Sequence, residues 1–72
     1  MAFRINVSTA DPSTDARNAL AETAEASDRP TVNKVTRNFL ARGYWVEVFD
    51  NDSGELLAGP FDPDQPAPSY IV

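Results

Sequence analysis

Tyr44-Trp45-Val46-Glu47-Val48-Phe49 is the run that most constrains this chain, because it is apolar on both sides of an extended backbone. β-branched and aromatic residues at this density predict a strand. Side chains alternate along a strand, so Val46 and Val48 point one way and Trp45, Glu47 and Phe49 the other. A sheet backed by helices on one side buries only one of its faces well. A chain of 72 residues has little material for a further layer, and buries only roughly 60% of the surface its unfolded form exposes. One face of this strand therefore turns to solvent, to a partner, or to Phe61, Tyr70 and Ile71 folding back from the C-terminus.

The flanks of that run set the rest of the pattern. Asn51-Asp52-Ser53-Gly54 is a turn, and Glu55 to Ala58 reads as the returning strand of a hairpin closed by Gly59-Pro60. Upstream, Val32, Val35, Thr36, Phe39 and Leu40 share one arc of a helix over about Thr31 to Arg42, with Asn33, Lys34, Arg37, Asn38 and Arg42 on the rest. Gly43 is its left-handed cap, and Tyr44 is placed to pack back on the last turn. Pro30 is expected to hold Arg29 outside that helix. At the N-terminus Phe3, Ile5 and Val7 alternate with Arg4, Asn6 and Ser8, which predicts a half-buried strand. Asp11 and Pro12 read as the cap and first residue of another helix over residues 13–26. Ala16, Leu20, Thr23 and Ala24 form its thin apolar stripe, with Asp15, Asn18, Glu22 and Glu25 opposite.

The expected fold class is α+β: one N-terminal strand, two helices, and a C-terminal β-hairpin, the strands forming a three-stranded antiparallel sheet. Residues 1–61 make one domain. Residues 62–72, with Pro63, Pro66 and Pro68, make an extended acidic tail.

Composition narrows the chemistry. The chain has no cysteine, which excludes disulfides and thiolate metal sites, and no histidine, which removes the usual general base and the commonest metal ligand. Serine has no adjacent base to activate it. Lys34, the sole lysine, lies on a polar helix face. Asp50-Asn51-Asp52-Ser53-Gly54-Glu55 alternates carboxylates, but an EF-hand loop needs glycine at its sixth position and glutamate at its twelfth. Here Gly54 is fifth and Phe61 twelfth. No enzyme, cofactor or metal is expected. Met1 to Ser8 alternates rather than forming a signal-peptide block, and no apolar run reaches the ~18 residues of a membrane span. A cytoplasmic location and no membrane partner are expected.

Charge is divided unevenly. Residues 1–42 net +1, whereas residues 43–72 net −6 and contain no basic residue. Such asymmetry points to a charged partner, although net charge also serves solubility. The expected function is a non-enzymatic, monomeric protein-binding module. Glu47, Asp50, Asp52, Glu55, Asp62 and Asp64 supply charge, and Trp45 and Phe49 the desolvated anchor. Its partner is a larger protein with a basic surface that handles DNA or RNA, where carboxylates stand in for phosphates. In size and charge the chain resembles small acidic inhibitors made by bacteriophages and other mobile elements.

The order strand, helix, helix over residues 2–42 also resembles, in outline, the ribbon-helix-helix DNA-binding fold. That resemblance implies a dimeric repressor or antitoxin whose N-terminal strands pair between two chains. Arg4, Asn6 and Ser8 would then enter the major groove.

Overall fold

The structure, a computed structural model, describes residues 2–12, 14, 20–66, 68 and 71, with the backbone alone at Leu20. Strands β1 (Phe3–Ser8) and β2 (Leu20–Ala26) are followed by helix α1 (Arg29–Ala41) and by strands β3 (Trp45–Asp50) and β4 (Leu56–Phe61). They form one four-stranded sheet in the order β2-β1-β3-β4, antiparallel at every pairing. Two strands antiparallel to β1 on its two sides run parallel to each other. A chain joining them needs a crossover, and α1 is that crossover. The topology thus lays the helix over one face of the sheet.

Beneath it the alternation of β1 becomes a core. Ile5 and Val7 are buried with Val46 and Val48 of β3 and Val32 of α1, and Phe3, Ala26, Leu40 and Ile71 complete the cluster. Val32, Thr36 and Leu40, four residues apart, form the buried stripe of the helix.

The expected helix over residues 13–26 and three-stranded sheet are therefore not what the described residues form: the sheet has four strands, and residues 20–26 are one of them. Pro12 and Thr14 have helical backbone, and the Thr14 amide donates to the Asp11 carbonyl at 3.1 Å. From Leu20, however, the expected helix is replaced by β2; residues 15–19 of that helix lie outside the described residues. Alanine and glutamate favour helix over strand by only tenths of a kcal/mol per residue. Each ladder hydrogen bond contributes about 1 kcal/mol net. The register sets Ala24 opposite Ile5 and Ala26 opposite Phe3, so small side chains enter the core beside bulky ones under the helix.

Two boundaries also move. Arg29 lies inside α1, not before it. Asp28 is the N-cap, its Oδ1 accepting from the Thr31 amide at 2.8 Å. In this first turn Pro30 forfeits no intrahelical hydrogen bond, so the cap outweighs the steric bias at Arg29. At the other end Gly43 has φ +90°, and the Tyr44 ring packs edge-on against Phe39 at 6.1 Å.

The second boundary is in the hairpin. Its turn is tied by Asp50, whose carbonyl accepts from the Gly54 amide at 2.8 Å and whose Oδ1 accepts from Asp52 at 2.8 Å. β4 does not stop at Ala58 but runs through Gly59 and Pro60 to Phe61. The register shifts between Val46 and Val48, which pair with Phe61 and Ala58, so Gly59 and Pro60 both lie opposite Glu47. Gly59 has φ +97°, and a Cβ there would lie 2.6 Å from the Val46 carbonyl oxygen. This bulge is open only to glycine.

Candidate protein-binding surface

Residues directly opposite in antiparallel strands share a face. The face away from α1 therefore carries three cross-strand rows: Trp45 with Ser8, Glu47 with Asn6 and Thr23, and Phe49 with Arg4 and Glu25. The expected alternation of β3 holds, with Val46 and Val48 in the core and Trp45, Glu47 and Phe49 half-buried on the other face. The Arg4 guanidinium lies over the Phe49 ring at 5.1 Å, and its Nε is buried without a hydrogen-bond partner. The Thr23 hydroxyl donates to Asn6 Oδ1 at 3.4 Å.

Glu47 is the carboxylate that this face perturbs. Burial raises its pKa above the ordinary value, and the Asp11 carboxylate raises it further. The segment leaving β1 thus brings a second negative charge toward Glu47.

The remaining acidic candidates divide by what their oxygens do. Asp50 is occupied in its own turn. Asp62 accepts from the Asp64 amide at 2.8 Å and from the Gln65 amide, through its carbonyl, at 3.1 Å. Asp52, Glu55 and Asp64 are exposed. Because Phe61 pairs with Val46 while the turn adjoins Asp50, Asp52 and Glu55 lie at one end of β4, and Asp62 and Asp64 at the other.

The tail returns along α1. Asn33 Oδ1 accepts from the Ile71 amide at 3.2 Å, and Arg37 Nη2 donates to the Pro68 carbonyl at 3.0 Å. Ile71 enters the core on the helix side of the sheet, away from the face of Trp45 and Phe49. Tyr70 lies outside the described residues. Asn33 and Arg37 thus hold the tail backbone, and Arg42 lies over the Phe39 ring at 5.5 Å.

Sequence reasoning missed Leu56 and Leu57, which it treated only as part of the returning strand. They are 44% and 40% exposed, on an edge strand. The available signal was the absence of any charge from Leu56 to Phe61.

Arg4, Asn6 and Ser8 do share a face, but β1 is paired with β2 on one side and β3 on the other. It has no free edge for the intermolecular ribbon of a ribbon-helix-helix dimer. Shallow hollows occur among the described residues. One of about 310 Å³ is lined by Ala2, Glu25, Ala26 and Ser27. Another, about 180 Å³, lies between the helix end and the tail at Arg37, Leu40, Ala41, Pro63 and Gln65. Among the described residues no three His, Cys, Asp or Glu side chains gather as metal ligands, and no helix is long and apolar enough to cross a membrane. Compared with protein-family models, curated proteins and solved structures, the chain matches none.

Proposed function

We propose that this chain is a non-enzymatic protein-binding module that docks its acidic hairpin on a basic surface of a larger, nucleic-acid-handling protein. One observation carries the reading. Leu56 and Leu57 stand exposed between acidic groups at both ends of β4, in a stretch of sequence without a basic residue. Carboxylates steer the encounter over long range, and exposed leucines supply the area that desolvates on contact. Asp52, Glu55 and Asp64 are the charges free to meet a partner, since Asp50 and Asp62 are engaged in their own turns. By covering a nucleic-acid site, such a module acts through occlusion.

The test is binding to a panel of purified DNA- and RNA-handling proteins at low and moderate salt. Changing Asp52, Glu55 and Asp64 together to Ser is expected to weaken binding about tenfold or more, mainly through slower association. Unaltered affinity and salt dependence in that variant, with an unaltered melting temperature, would sink the charge account.

A further inference from the structure

The free edge of β4 differs from an ordinary sheet edge. Monomeric proteins guard an edge with charged side chains, prolines or bulges, because unpaired backbone groups recruit other strands. β2, the opposite edge, carries Glu22 and Glu25, both exposed. In β4 the Gly59-Pro60 bulge occupies the far half and a second register shift falls at Leu57, between the pairs of Ala58 and Leu56, but Leu56-Leu57-Ala58 carries no charge and no proline.

Building on the proposed acidic docking, we infer that the Leu56–Ala58 edge accepts an extended segment of the partner as a fifth strand. That segment is apolar where it meets Leu56 and Leu57, and basic where it passes Asp52 and Glu55 at one end and Asp64 at the other. Main-chain hydrogen bonds hold such a strand, and side chains select it. Charge decides against a second copy of this chain. Acidic residues flank β4 at both ends, so β4 against β4 brings acid to acid in either strand direction. A basic strand relieves the same repulsion.

The test uses the full-length chain, isotopically labelled, and two synthetic peptides. One alternates lysine and valine. The other contains the same residues with proline at alternate valine positions, which removes ladder donors but keeps the charge. The alternating peptide is expected to bind at least about tenfold more tightly and to slow amide exchange within β4. Leu56→Lys with Leu57→Lys is expected to cancel that preference while the variant stays folded by amide spectrum. Equal binding of the two peptides overturns strand addition and leaves acidic docking standing. Failure of both peptides to bind at low salt overturns both. Protection at β2 instead of β4, or self-association of the unliganded chain by light scattering, overturns the assignment of the edge or of its occupant.

Discussion

β2 and β4 close the same sheet on opposite sides, yet they meet solvent with opposite chemistry. β2 exposes Ala21, Glu22, Thr23 and Glu25; on its core side Ala24 and Ala26 pack inward, while Glu22, opposite Val7, stays exposed. β4 exposes Leu56 and Leu57 and carries no charge of its own; its acidic residues lie just beyond its ends. A strand charged along its length resists pairing, whereas one with charges only beyond its ends selects what pairs with it. Two edges of similar length in one small domain can thus have different roles, set by where the carboxylates stand.

The contrast breaks most severely at Gly59. Gly59→Ala forces a Cβ toward the Val46 carbonyl at a positive φ, a cost of about 3 kcal/mol. For a domain this size each kcal/mol lowers the melting temperature by roughly 4–8 °C. Amide exchange should accelerate first in β3 and β4, with β1 and β2 less affected. Uniform acceleration would mean that the two edges do not loosen independently.

Thr36→Val is a control of opposite sign. The Thr36 hydroxyl is buried under the sheet without a hydrogen-bond partner. Replacing it with an apolar group of the same shape should stabilise the fold by about 1 kcal/mol, read as a higher melting temperature. Peptide binding at β4 should not change. If binding weakens as stability rises, the leucine edge becomes available only through opening of the fold.

Glu22→Thr with Glu25→Thr removes the guard from β2. Stability should shift by no more than roughly 0.5 kcal/mol, as for exposed positions generally. Concentration-dependent self-association by light scattering should appear, because β2 against β2 lacks the acidic ends of β4. A variant that stays monomeric at high concentration would show that the glutamates are not what protects this edge.

The smallest effect is in pH. Glu47 holds its proton more tightly folded than unfolded, because burial on the sheet face disfavours its charge and Asp11 adds to that. Its penalty is fully present above the raised pKa, and stability from this group increases as pH falls through the acidic range. Asp28 acts in the opposite sense. Hydrogen bonds from Thr31 lower its pKa, so its contribution is present above the usual carboxylate range and is lost as pH falls through the lowered value. Glu47→Gln should slightly raise the melting temperature at neutral pH and remove the gain on mild acidification. An unchanged pH profile would show that the carboxylate is as well solvated folded as unfolded.

Most of what was legible beforehand is local. The alternation of Phe3, Ile5 and Val7, the arc from Val32 to Leu40, the Gly43 cap and the Asn51–Gly54 turn each rest on neighbours a few residues apart. β2 left no such mark, since its core side shows a glutamate and two alanines and its residues favour helix. Of the candidate surface, Trp45, Glu47 and Phe49 could be placed on one face from alternation alone. Leu56 and Leu57 could not be recognised as exposed until β4 was known to be an edge. The same limit applied to Asp50 and Asp62, whose oxygens serve their own turns.

The division between the two halves of the problem is thus one of range. Periodicity, turn chemistry and the charge split belong to the sequence by itself, because each is decided by contacts or counts along the chain. The tertiary structure alone decided that Leu20–Ala26 is a strand, that Ile71 returns to the core beside Asn33 and Arg37, and that β4 has a free side. Each of those outcomes depends on hydrogen bonds and burial between residues far apart in sequence, and such terms outweigh local preferences of a few tenths of a kcal/mol.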